Sequence, residues 1–377
     1  MQTTTSGTRR ALTLWGLAAL LALSAPAWAQ LRIGQPSGFT GSVAAGVKEN
    51  TEGAKLYLDA VNARGGVNGQ KIELISVDDK FDPKVTVEAA RELVTRQNVL
   101  ALFLNRGTPH AQALLPLLSE LKVPLVGPST GAMALHDPVH PWLFNVRATY
   151  QREAAKAIEH LASIGIARIA VLETDDSFGA DSAKGALAGF AKAGIKPVLQ
   201  DKFPRDKPDF AELAPKVHQS NAQAVMIIGS AGNTANAVKA IRAAGSRAQI
   251  VTLSNNASEG FIKLLGEHAR GVIVTQVFPN ERSVAFPLIK EALDLAKAKG
   301  LDGVSPAMME GFAAAKVLVE GLRRAGPNPT PASLRDALEG IRNFNLGGLS
   351  VSYSPTNHTG LDFADLSIVD ATGKFRR

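Results

Sequence analysis

The chain has 377 residues, 45% of them hydrophobic and 20% charged, with 41 Lys and Arg against 34 Asp and Glu and no cysteine. That length exceeds what one hydrophobic core ordinarily serves, so two domains are expected. The missing cysteine excludes disulfides, thiolate metal centres, a cysteine nucleophile and a cysteine-linked lipid, and the basic excess never gathers into a run of five Lys or Arg, which argues against nucleic acid as a partner.

The N-terminus carries a basic pair, Arg9-Arg10, then an apolar stretch from Ala11 to Leu23, then Ala27-Trp28-Ala29. This order predicts a signal peptide over residues 1–29, a mature chain from Gln30 and export to the periplasm. Removing the two arginines from the 41 basic residues leaves 39 against 34 acidic, a net charge near +5. No later stretch approaches the roughly eighteen consecutive apolar residues that span a bilayer.

From Leu31 onward, short β-rich runs alternate with amphipathic helical runs, the pattern of a parallel sheet covered by helices. Strands are predicted at Leu31–Gln35, Lys71–Val77, Val99–Leu104 and Val123–Gly127. Between them lie helices near Glu49–Asn62, from Asp82-Pro83 to about Arg96, and from a cap at Thr108-Pro109. After Trp142–Arg147 the pattern restarts with a helix near Gln151–Ile164 and strands at Arg168–Leu172, Lys196–Lys202, Ala224–Ile228, Ile250–Leu253 and Gly271–Val277. Helices then run from Val284 to about Ala298, from Pro306 to about Arg324 and from about Pro331, and Leu349–Val369 returns to strand. The expected class is α/β, with two Rossmann-like lobes and a chain that crosses between them about three times. Residues 30–147 with about 279–347 would make the first lobe, and about 148–278 with about 348–377 the second. The connections near Arg147 and Phe278 would be hinges.

Ligands of open parallel sheets bind beyond the carboxyl ends of the strands. There the first half places Asn105-Arg106-Gly107-Thr108, with free N–H groups at a helix start, and Ser129-Thr130-Gly131, two hydroxyls beside a flexible glycine. Both suit a carboxylate. The second half offers Phe178 as an apolar wall, then Ser230, Ala231 and Asn255 as neutral hydrogen-bonding positions. Arg106 is the better placed of the two arginines, Arg106 and Arg147, for an anion. His136 and His140 flank Asp137-Pro138 and are read as incidental residues of a connector, with no metal role, and no cofactor is expected.

Several stretches together resemble the leucine/isoleucine/valine-binding protein family, the type I periplasmic substrate-binding components of ABC importers: Glu52-Gly53-Ala54-Lys55, Asn62-Ala63-Arg64-Gly65-Gly66-Val67-Asn68-Gly69, Val123-Pro124-Leu125-Val126-Gly127-Pro128, Phe178-Gly179 and Arg242-Ala243-Ala244-Gly245. The resemblance spans the mature chain and implies a two-lobed fold with a ligand cleft, an ABC permease of the inner membrane as partner, monomeric function and no enzymatic activity. It also implies a ligand carboxylate held by Gly107, Thr108, Ser129 and Thr130. Where the family has a tyrosine clamp this chain has Phe178, a loss for which Tyr150 would compensate, and where amino-acid binders carry an acid for the ammonium this chain has the neutral Leu253-Ser254-Asn255-Asn256, so either an acid elsewhere such as Asp175 meets the ammonium or the ligand has none. The expected ligand is therefore a small hydrophobic amino acid or a related carboxylate. The alternatives are an aromatic carboxylate or amide handled in uptake or sensing and, more remotely, a secreted hydrolase.

Overall fold

A computed structural model describes residues 30–377, so the expected signal peptide lies outside the described residues. Two sheets organise the molecule. The first contains β1 (Leu31–Ser37), β2 (Ile72–Asp78), β3 (Ala101–Phe103), β4 (Leu125–Val126) and β5 (Leu143–Phe144), in the order β2-β1-β3-β4-β5 and parallel throughout. Helices α1 (Ala44–Ala63), α2 (Pro83–Thr95) and α3 (Thr108–Leu121) connect them. All three residues of β3 are buried, as a strand covered on both faces requires.

The chain then enters the second sheet through α4 (Tyr150–Ser163). Parallel strands β6 (Ile169–Thr174), β7 (Leu199–Phe203), β8 (Ala224–Ile228), β9 (Gln249–Thr252) and β10 (Ile273–Gln276) alternate with α5 (Ser177–Ala193), α6 (Leu213–Gln219), α7 (Ala231–Ala243) and α8 (Glu259–Leu265). Helices α9 (Pro287–Ala298), α10 (Pro306–Ala325) and α11 (Pro331–Glu339) go back to the first core, followed by a two-stranded ribbon of β11 (Phe344–Asn345) and β12 (Ser350–Val351). Antiparallel β13 (Asp365–Val369) and β14 (Phe375–Arg376) finally extend the second sheet beside β10.

Three expectations are corrected. The last return to the second sheet occurs at about residues 361–365 and not near 348. Val351, Tyr353 and Leu361 pack in the first core, and backbone bonds from Leu361 N to Val146 O (2.9 Å) and from Asn145 N to His358 O (2.9 Å) hold this segment alongside the first crossing. Helix α9 begins at Pro287 and leaves Val284 63% exposed, because the residue before a proline is pushed out of the helical region and proline itself fits the first helical position. Helix α1 begins at Ala44, five residues before the predicted start, since its first turn is ordered by packing across the molecule and has no side-chain cap.

Helices α1 and α10 approach so closely that a Cβ on Gly53 would meet the backbone of Met308, and one on Gly311 the carbonyl of Asn50. This contact matters for the site because α1 carries Asn50 and begins beside Val43, while α10 carries Glu310. Gly311→Ala forces the helices apart and is expected to cost about 1–3 kcal/mol, as overpacking of a close-fitted core does. A lowered urea midpoint at unchanged m-value would show it, and an unchanged midpoint would mean that the helix pair yields easily.

Candidate functional site

The ends of strands from both sheets converge on one cavity. From the first lobe come Val43 after β1, Phe81 after β2, and Arg106, Gly107, Thr108 and Pro109 after β3. From the second come Tyr150 on α4, Thr174, Asp176 and Phe178 around the end of β6, Arg205 after β7, Ser230 and Asn233 after β8, and Asn255 after β9. The space open to the centre of a water-sized sphere is ≈ 30 Å³, enough for a compact ligand or a few waters.

Local chemistry sets each wall. Gly107 holds φ at 103°, which a side chain would resist, and this turns the chain into α3 with Arg106 facing the cavity. Arg106 is 5% exposed. It donates from Nη1 to Ser129 Oγ (2.9 Å) and from Nη2 across the cleft to the Asn255 carbonyl (2.6 Å). Ser129 Oγ also accepts from Asn50 Nδ2 (2.9 Å), so the arginine is positioned from behind.

Arg205 reaches the other way, from the second lobe to the first. Its Nη2 donates to the Phe81 carbonyl (2.8 Å) and to His110 Nε2 (3.1 Å), and its guanidinium lies 4.5 Å above the Phe81 ring, which in turn stacks on His110. An accepting Nε2 requires a neutral imidazole, and burial, assisted by the Arg205 charge, pulls the His110 pKa down to about 3. Asn233 Nδ2 fixes the Arg205 backbone through its carbonyl (2.8 Å). Asp176 caps α5 by accepting from Gly179 N (2.9 Å) and stands 4.0 Å from Arg205 Nε, while burial raises its carboxyl pKa above the ordinary value. Tyr150 and Phe178 meet edge to face at 4.8 Å as the apolar wall.

Of the residues proposed from sequence, Arg106, Gly107, Thr108, Tyr150, Phe178, Ser230 and Asn255 line the cavity. Asn105, Ser129, Thr130, Gly131 and Ala231 do not. Ser129 supports Arg106, and Thr130 Oγ1 pairs with Thr108 Oγ1 (2.7 Å), so that Thr108 does not cap α3, whose cap position is Gly107. Asn105 is fully buried without a partner for its amide, Gly131 packs against the backbone of Ala148 and Tyr150, and Ala231 belongs to the second core. Val43, Phe81, Thr174, Asp176 and Arg205 were not foreseen as ligand contacts. The strand-end position of Arg205, two residues past β7, was the available signal.

Gly127-Pro128-Ser129-Thr130-Gly131 has the spacing of a hydrolase nucleophile turn. Here, however, Ser129 Oγ accepts from Asn50 and Arg106, and neither a histidine nor a carboxylate is bonded to it. His136 is buried and His140 bonds Ser119 (2.9 Å), and among the described residues no cluster of three His, Cys, Asp or Glu is arranged to hold a metal.

A family model for periplasmic binding proteins matches residues 30–373. The chain belongs to the periplasmic binding protein family. It is 26% identical over 345 residues to a Leu/Ile/Val-binding protein homolog of Brucella melitensis, covering 90% of this chain and 91% of that one. A substrate-binding periplasmic protein from Ralstonia solanacearum superposes with a TM-score of 0.84 at 31% identity, over 92% of this chain and 99% of the other. A branched-chain amino acid ABC transporter protein from Thermus thermophilus, solved with bound valine, shares the fold at 20% identity, with a TM-score of 0.81 over 92% and 95% of the two chains.

In this periplasmic binding protein, Asp79 shapes the Phe81 wall. It accepts from Phe81 N (2.9 Å) and Thr86 Oγ1 (2.7 Å), and burial outweighs both bonds to push its carboxyl pKa up from 3.8 to about 6. The folded state thus holds this proton more tightly than the unfolded chain. The resulting stabilisation is complete below about pH 4 and is lost as pH rises through 6. Asp79→Asn lacks this dependence, so its stability relative to the parent should rise by about 2–3 kcal/mol between pH 4 and 7. Urea unfolding at the two pH values measures the difference, and a flat one would show that Asp79 titrates normally.

Proposed function

We propose that this chain is the substrate-binding component of an ABC importer, working in the periplasm after signal-peptide removal and closing its lobes on a small amino acid or related carboxylate. The observation that carries this reading is Arg106. A buried guanidinium lines the cavity and bonds a first-lobe hydroxyl and a second-lobe carbonyl at once, so an anion seated against it is gripped only when the lobes are shut. The first turn of α3, at Gly107 and Thr108, adds positive helix-terminal potential to the same wall.

Tyr150, Phe178, Phe81 and Val43 supply the apolar surface that charge alone does not replace, since micromolar affinity requires about 8 kcal/mol. The branched-chain names of the Brucella and Thermus relatives support the import reading. Nothing in the wall has the arrangement of a nucleophile with its base, which supports binding without turnover.

Ligand-stripped mature protein is expected to contract in small-angle X-ray scattering when a stabilising carboxylate, found by thermal-shift screening, is added. Arg106→Ala should weaken that ligand at least tenfold, about 1.4 kcal/mol or more, in calorimetry. Binding without contraction would remove the closure mechanism, and unchanged affinity in Arg106→Ala would remove the carboxylate anchor.

A further inference from the structure

Given that the cavity holds a carboxylate, we propose that its ligand carries no ammonium group and is a small 2-hydroxy acid, with Arg205 as the second-lobe anchor that selects it. Among the described residues, the charged groups facing the cavity are two cations, Arg106 and Arg205, and one anion, Asp176. A monoanion balances that wall, whereas a zwitterion leaves it with a surplus positive charge out of water, a costly arrangement. The single acid is also already engaged: one oxygen caps Gly179 N and the carboxylate stands 4.0 Å from Arg205 Nε. An ammonium at Asp176 would be set against the Arg205 cation.

The charges behind the wall do not create an ammonium site. His110 is held neutral, and Asp79 is tied to Thr86 and the Phe81 backbone on the far side of Phe81. Glu153 and Glu310 face Arg147. The hydrogen-bonding groups left over on cavity residues are more specific. Among the described residues, three buried groups of the cavity lining have no hydrogen-bond partner: Arg205 Nε, a donor; Asn255 Oδ1, an acceptor whose own amide nitrogen is committed to the Gly229 carbonyl (2.9 Å) and Asn256 Oδ1 (3.1 Å); and Thr174 Oγ1, a hydroxyl that can play either part. A ligand hydroxyl has both a lone pair for the Arg205 donor and a proton for an unpartnered oxygen. An ammonium has no lone pair for Nε, and an oxo group has no proton for Oδ1. The small cavity restricts the carbon skeleton to a short aliphatic or single-ring one.

The test is calorimetry of ligand-stripped mature protein with matched triplets on several skeletons, each comprising the amino acid, the 2-hydroxy acid and the 2-oxo acid: alanine with lactate and pyruvate, then the valine, leucine and phenylalanine sets. On the skeleton that binds, the hydroxy acid is expected to bind at least tenfold more tightly than the amino acid. Arg205→Met should bring the two within about threefold of each other while the unliganded protein retains its cooperative melt, a change in ratio that a merely structural role would not produce. Tighter binding of an amino acid overturns the proposal and leaves the carboxylate reading intact. An Arg205→Met variant with an unchanged ratio overturns the role of Arg205. Failure of every member of every triplet overturns this proposal together with the carboxylate reading on which it rests.

Discussion

A guanidinium buried where the chain first leaves one lobe for the other constrains how the two sheets can meet. Arg147 is 1% exposed, and burial by itself would favour its neutral form. It stays charged because Glu153 on α4 pairs with it and Glu310 on α10 stands 4.0 Å away, so one cation is compensated from both lobes. Glu153 is in turn bonded by Ser254 N (3.0 Å) and Thr275 Oγ1 (2.5 Å), and Arg147 Nη2 donates to Ser254 Oγ (2.7 Å). Separating these groups would strand charges in a poorly solvated place, which ties the first crossing to both lobes.

From that crossing the cavity wall follows. The Arg147 guanidinium lies 4.4 Å over the ring of Tyr150, and Tyr150 presents its other contact to Phe178. The polar seam between the lobes includes Arg106 to the Asn255 carbonyl, Gly232 N to the Ser42 carbonyl (3.1 Å), and Arg205 to the Phe81 carbonyl. On a neighbouring stretch Glu49 of α1 accepts from Gly260 N (2.8 Å) and Glu259 N (3.1 Å) at the start of α8. These cross-lobe bonds replace bonds that the same groups would otherwise make to water, so each is worth little by itself. Arg106 and Arg205 bring two cations to this seam, one from each lobe.

Much of the cavity is legible in the amino-acid sequence. Strand ends are where parallel sheets place ligands, and that rule picks out Arg106, Gly107, Thr108, Phe178, Ser230 and Asn255 from local pattern. The rule points to segments and does not say which side chain in a segment turns inward. Ser129 and Thr130 look like carboxylate donors in sequence, yet they spend their hydroxyls on Arg106, Asn50 and Thr108. Phe81 faces the cavity because Lys80 and Phe81 both adopt left-handed backbone, at φ 54° and 57°, a turn held by Asp78 and Asp79 that no propensity predicts.

The sequence by itself determined the α/β class, the two-lobed organisation and the half of the cavity built on glycine turns and helix starts, because hydrophobic periodicity and turn chemistry are local properties, while the family was legible only through the resemblance of several short stretches. Only the tertiary structure decided that residues 350–361 stay with the first core, that Arg205 crosses the cleft to Phe81 and His110, and that Asp176, alone among the acids of the described residues, faces the cavity. Those outcomes depend on contacts between residues about 95 to 210 positions apart, such as Arg205 with His110 and Tyr353 with Asn145. Such contacts form only when both sheets are packed and every buried charge must find a partner, a condition that no short window of sequence contains.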